Sequence, residues 1–256
     1  MEPDSEFQYP NIIDFFGTTL CHICHFTTHD LLDYAAYDKY AEANIFKSHS
    51  DVDDHISRLL GKSDKSDHED IINSFSTEFQ EFGDIYPSIH RKSMVIALYN
   101  FFEHQIKTLC IEVNKLLPED MSDKYFRSVC IRSYRKFLRQ EAGFDINRGC
   151  LLWNLWEDML KVEQIRHVLV HSEGEIEKHR VDRHADIEGY CKHRKNIKLY
   201  RHKILIDNEF VATLISDLIT IFEKLDKDVH AFIKRYENEH GRYDAPLPPG
   251  AYGTPL

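Results

Sequence analysis

An all-α fold is what this chain predicts, and three observations carry that reading. Only ten glycines and eight prolines punctuate 256 residues, apolar residues return at three- and four-residue spacing over long stretches, and those stretches break at Pro118, Gly143 and Gly174. The composition is that of a soluble globular chain: 42% hydrophobic, 29% charged, with a formal net charge of −11. A chain of this length can bury a sizeable core without metals or disulfides.

In order along the chain, residues 1–27 read as irregular, and a helical stretch runs from Thr28 or His29 to about Phe46. The polar run Lys62–Glu69 reads as a loop, and a helix is expected from about His68 to Glu81. Pro87, suited to a first helical turn, opens the longest periodic segment, with Ile89, Val95, Ile96, Leu98, Phe101, Phe102, Ile106, Leu109, Val113, Leu116 and Leu117 on its apolar side. Ser122 and Asp123 mark the start of the next helix, which runs to about Ala142 before Gly143 stops it. Its apolar side is Phe126, Cys130, Tyr134, Phe137 and Leu138, and Arg132, Arg135 and Arg139 share another side. A fourth helix spans Leu151 to about His171, closed by Gly174. About thirty polar and basic residues follow, within which Ile197–Ile206 predicts a short strand or hairpin in the 175–206 loop. Asp207 caps a last helix whose stripe is Phe210, Leu214, Leu218, Ile221, Phe222, Leu225, Val229 and Phe232. The segments divide into an acidic N-terminal helical region (1–84), a helical domain (85–240) and a tail (241–256) whose composition predicts disorder.

Charge is unevenly spread. Residues 1–90 carry 18 acids against 5 bases, and residues 91–256 carry 25 acids against 27 bases. Two segments of the second part are basic: Ser122–Arg148, with 7 bases and 3 acids, and Arg166–Lys203, with 10 bases, 6 acids and 6 histidines. A polyanion repelled by the whole chain at long range could still be held in a basic cleft of that part. No run approaches the roughly 20 apolar residues of a membrane span. Glu2, Asp4 and Glu6 stand where a secretory signal would be basic and then apolar, so a cytoplasmic protein with reduced cysteines is expected.

The informative stretch is Ile165-Arg166-His167-Val168-Leu169-Val170-His171-Ser172-Glu173-Gly174. On a helical projection Arg166 falls inside the stripe of Leu152, Leu155, Met159, Val162 and Leu169, where a guanidinium is costly unless an anion meets it, either a carboxylate of the protein or a ligand phosphate. His171 lies five residues on, so the two side chains diverge by about 140° on an ideal helix and converge only where the helix ends or bends. An arginine that grips phosphate and a histidine that titrates near neutrality are a minimal set for phosphodiester cleavage.

This stretch resembles the R-x4-6-H signature of the HEPN superfamily (higher eukaryotes and prokaryotes nucleotide-binding), in which the motif stands near the end of a helix with a polar residue after the arginine. The resemblance covers about residues 85–235, leaves 1–84 uncovered, and is strongest to bacterial RiboL-PSP-HEPN and abortive-infection proteins. It implies a HEPN-like helical bundle, a homodimer with one composite active site, and a metal-independent endoribonuclease without cofactor, acting as a toxin or antiviral effector. On this chain Arg166 would hold the scissile phosphate and His171 would act as general acid or base while the RNA 2′-hydroxyl attacks. His167 stands where the family commonly has Asn or another polar residue. The family's toxins that pair with nucleotidyltransferase antitoxins often carry Tyr two residues after the histidine; here that position is Glu173. An antitoxin or regulatory partner therefore remains an expectation without a named class.

Arg132, Arg135 and Arg139, with Arg180 and Arg183 of the basic loop, are the expected RNA contacts; a solvated helix face is the alternative for the first three. Cys21-His22-Ile23-Cys24-His25 with His29 resembles half a zinc site, but no second pair follows, and ordinary buried cysteines are the alternative. Glu103 and His104 are candidates to face the motif, and His179, His184, His193 and His202 recur in the basic loop. Two further readings of the chain stand beside the nuclease: a non-catalytic module that binds RNA, nucleotide or protein through the same residues, and a helical scaffold in which Arg166 pairs with an acid.

Overall fold

A computed structural model describes residues 12–127, 130–176 and 184–243. Arg180, Arg183, His179 and the tail beyond 243 lie outside them, as does the side chain of His184. The chain is all-α with one short hairpin, in the order α1 (Thr19–Leu60), α2 (His68–Ser74), α3 (Ser76–Gln80), α4 (Tyr86–Asn114), α5 (Ser122–Tyr125), α6 (Ile131–Gln140), α7 (Leu151–Ser172), α8 (His184–His193), β1 (Ile197–Tyr200), β2 (Lys203–Ile206) and α9 (Asn208–His240). No helix of the described residues is long and apolar enough to cross a membrane.

α4 is the axis of the bundle, packed against α1, α6, α7 and α9. Its buried residues Met94, Val95, Leu98, Tyr99, Phe102, Ile106, Leu109, Cys110 and Val113 cover more than one side of the helix, as a helix flanked on several sides requires. Phe102 is fully buried and meets Trp156 of α7 and Phe222 of α9 edge-on; burial of such a ring contributes roughly 1.5–3 kcal/mol. Ile89, expected on the apolar side, is 58% exposed, because it points away from the side of α4 that buries Pro87, Met94 and Leu98.

α1 is the main departure from expectation. It is 42 residues long and begins nine residues before Thr28, because Leu20, Ile23, Cys24, Thr27 and Leu31 form a 3–4 stripe that packs on α9 and α4. Phe15, Leu20, Ile23, Cys24 and Leu31 belong to the same core cluster as the α4 and α9 residues, so packing is continuous across residue 84. The helix expected over 68–81 breaks at Phe75 into α2 and α3, and a π-helical turn, Glu81–Ile85, leads into α4. The helix expected over 122–142 also divides, α5 being one turn long. Gly143 and Gly174 adopt the left-handed conformation (φ 68 and 87) that ends a helix, as does Glu173 (φ 53).

α8 leads into an antiparallel hairpin with Ile197 opposite Ile206 and Tyr200 opposite Lys203. Arg201 and His202 close it, both left-handed (φ 46 and 66), which is the backbone of a two-residue hairpin turn built without glycine. Ile176 N–H donates to His202 O at 2.8 Å and Ile204 N–H to Gly174 O at 2.9 Å, so the end of α7 is stitched to the hairpin.

Candidate nucleic-acid interface

The structure corrects the expected position of Arg166. The guanidinium is half-buried at the edge of α7, outside the core, and its Nε and Nη2 donate to Asn100 Oδ1 of α4 at 3.1 and 2.9 Å. Its Cζ stands 5.8 Å from the Tyr99 ring centroid. A neutral amide oxygen thus meets the cation where a carboxylate or phosphate was expected, with Glu163 and Glu103 close to the same Tyr99 ring.

α7 stays helical through Ser172, so the bend that would swing His171 towards Arg166 is absent. What the helix brings together is His167 and His171, four residues apart, with ring centroids 4.4 Å apart. His171 is exposed and His167 half-buried. Lys92 of α4 lies at the same end of α7: a Cβ on Gly174 would stand 3.8 Å from its Cε. Burial first, then the charge of Lys203, pulls the Lys92 ammonium below the ordinary lysine range, and Glu173 opposes them. Two histidines and two lysines therefore gather around the C-terminal end of α7.

Tyr99 sits beneath this surface, 1% exposed. Burial, then the charges of Glu163 and Glu103, holds its phenol well above the usual range, so it stays protonated and donates, with Glu103 Oε1 at 3.4 Å. Glu103 thus serves Tyr99, and His104 is exposed on α4. Sequence reasoning missed Asn100 and Tyr99. The available signal was a single asparagine inside the apolar run Met94–Phe102.

The arginine stripe of α6 separates into different roles. Arg135 is 8% exposed; its Nη1 donates to Glu157 Oε1 at 2.7 Å and its Cζ lies 3.9 Å from the Trp153 ring. It is a packed, paired arginine, which corrects its expected place on an open basic face. Arg132 is exposed, and Arg139 and Arg148 stand 5.8 and 5.9 Å from the same indole. Trp156 is fully enclosed within the protomer and donates from Nε1 to Ile131 O at 3.1 Å.

Cys24 is buried in the core and Cys21 half-buried, with both thiols pushed up by burial and by Asp226. His22 contacts the Phe16 carbonyl at 2.8 Å, and His25 packs on His29 with centroids 5.2 Å apart. The α-helix spreads this run over two faces, so it offers no converging ligand set. The group with metal-ligand spacing among the described residues is instead Asp38, Glu42 and His90, with ligand atoms within 4.8 Å. Its members already have partners within the protein: His90 Nε2 lies 2.9 Å from Asp38 Oδ1, and Arg91 grips both Glu42 oxygens at 2.7 and 2.9 Å. A cavity of about 540 Å³ lies elsewhere, between the ends of α4, α6 and α9, lined by Gln140, Glu141, Gly143, Arg235 and Glu239 among others. Comparison with family models, curated proteins and solved structures finds no match to the chain.

Proposed function

We propose that this protein is a metal-independent endoribonuclease, acting as a toxin or antiviral effector in the cytoplasm, in which two copies complete one active site. The observation that carries the proposal is the pairing of a half-exposed Arg166 with a neutral acceptor, one helical position from the His167–His171 pair. In this reading the RNA 2′-hydroxyl gives its proton to the imidazole of one His171 as its oxygen attacks phosphorus, the bond to the 5′-oxygen breaks, and the leaving oxygen takes a proton from the resulting imidazolium. His171 of one copy moves a proton while Arg166 neutralises the charge gathering on the non-bridging oxygens; neither step calls for a metal. Because Arg166 and His171 point about 140° apart on one helix, the pair that acts together comes from two protomers, with the α4–α7 surface on the two-fold axis. His167 orients His171 or shares its proton. Arg132 and Arg139 contact flanking phosphates.

A non-catalytic RNA-binding module is the second reading, favoured by the separation of Arg166 from His171 within the protomer. Purified protein incubated with mixed tRNA and single-stranded RNA in EDTA separates the two. The nuclease reading expects 2′,3′-cyclic phosphate ends, loss of turnover in His171→Ala with RNA affinity kept within a few fold, loss of both in Arg166→Ala, and poor rescue by Arg166→Lys. Mixing the His171→Ala and Arg166→Ala chains should restore part of the activity, since a heterodimer holds one intact composite site. Cleavage that vanishes in EDTA and returns with Mg²⁺, 3′-hydroxyl ends, or a fully active His171→Ala refutes the mechanism. RNA binding without cleavage selects the module.

A further inference from the structure

One face of α1 is built unlike the rest of the helix. Phe26, Asp30, Asp33, Tyr37 and Tyr40 follow one another at alternating four- and three-residue steps and so form a single stripe. Every member faces solvent: Phe26 is 60%, Tyr37 56% and Tyr40 69% exposed. Beside the stripe lies an open groove of about 430 Å³ between α1 and α4, lined by Asp30, Asp33, Tyr34, Tyr37 and Phe101. Tyr34 and Phe101 form its floor with ring centroids 5.4 Å apart, and Tyr37 is braced by His90 at 5.9 Å.

The carboxylates along α1 are treated differently. Asp38 and Glu42 have partners within the protein, His90 and Arg91. Asp30 and Asp33, about two turns and one turn before Asp38, make no ion pair or hydrogen bond among the described residues. Two unpaired carboxylates beside three aromatic rings complement one kind of group, an ammonium or guanidinium that packs its alkyl stem or cation on a ring while its charge meets the acid. The same carboxylates repel a nucleic acid. A stripe of about 21 Å at helical spacing suits a helix laid along it better than a single side chain.

We propose that this face of α1 is a docking site for a basic amphipathic helix of a partner protein, whose lysines or arginines meet Asp30 and Asp33 and whose apolar side covers Phe26, Tyr37 and Tyr40. Phe101 of the groove and Asn100 at Arg166 are consecutive on α4, so an occupant sits on the face adjoining the proposed RNA site. The docking inference itself does not depend on that site being a nuclease.

The test uses the full chain and a fluorescein-labelled alanine-based helical peptide bearing arginines and leucines at three- and four-residue spacing, read by anisotropy at low salt. Asp30→Asn with Asp33→Asn should weaken binding about ten-fold, and Tyr37→Ala should weaken it several-fold. Asp53→Asn with Asp54→Asn, the same charge change further along α1, should leave affinity unchanged. Circular dichroism of each variant, identical to the parent because these side chains are exposed, keeps the comparison valid. Equal affinity across all variants overturns the proposal, as does failure of the parent to bind. A peptide-free parent that sediments as a dimer and becomes monomeric in Tyr37→Ala also overturns it, since a second copy would then be the occupant.

Discussion

Arg135 decides between a structural and a nucleic-acid role for the α6 stripe, and Arg135→Ala separates them. The side chain is 8% exposed, lies 3.9 Å from the Trp153 ring and donates to Glu157 Oε1 at 2.7 Å. A desolvated cation–π contact with indole contributes about 1–2 kcal/mol. Glu157 has a side chain 47% exposed, so the ion pair is screened and adds only about 0.5–1 kcal/mol. Loss of the packed alkyl stem brings the expected destabilisation to roughly 2–4 kcal/mol. At about 2–4 °C per kcal/mol for a chain of this size, the melting temperature should fall by roughly 5–15 °C. Trp153 fluorescence should rise or shift as the cation leaves its face. Arg139→Ala should move the melting temperature by under about 2 °C while weakening RNA binding at low salt and flattening its salt dependence. The measurement is a pair of thermal or urea melts followed by tryptophan emission, with RNA affinity measured at several salt concentrations. An Arg135→Ala chain as stable as the parent but deficient in RNA binding would refute the packed-arginine account and return the residue to the open basic face.

Trp156→Phe removes the Nε1 donor to Ile131 O and leaves a small void, so it should cost about 1–3 kcal/mol in a urea melt with helical content retained. Replacing the hairpin turn Arg201-His202 (φ 46 and 66) by Asn-Gly should stabilise the protein by about 1 kcal/mol, because those residues tolerate the left-handed backbone and the Ile176 N–H bond to the position 202 carbonyl is kept. Hydrogen bonds from the Ser122 hydroxyl, then Asn114 Nδ2 and the Ser122 N–H, pull the Asp120 carboxyl from the ordinary aspartate range down to about 2. A lowered folded-state pKa means its contribution is present above pH 3.8 and lost as the pH falls towards 2. Protection of the Ser122 amide against exchange, relative to its intrinsic rate, should therefore fall over that interval and should show no such titration in Asp120→Asn. The Cys24 and Cys110 thiols, raised by burial, should resist alkylation at mildly alkaline pH until the chain unfolds; labelling of the native protein at either would contradict their place in the core.

Period and punctuation made much of the helical frame legible in the sequence. α4, α7 and α9 stand close to where the apolar stripes, Pro87, Gly174 and Asp207 place them, because a stripe that repeats every 3.6 residues has one stable way to bury itself. Ile197–Ile206 also read as extended from its β-branched residues. Local pattern could not place the start of α1. Its first turns are held by contact with α9, which is distant in sequence, and their histidines, cysteines and threonines look irregular until that partner is present. The same limit applies to charged side chains: the spacing that put Arg166 in an apolar stripe could not show that the stripe's edge is open to Asn100, nor that Arg135 lies under Trp153 and not in solvent. Sequence alone determined that Arg166, His167 and His171 lie on one helix within five residues of each other. Only the tertiary structure decided who meets whom, because a guanidinium's partner is set by the neighbouring helix and not by the helix that carries it.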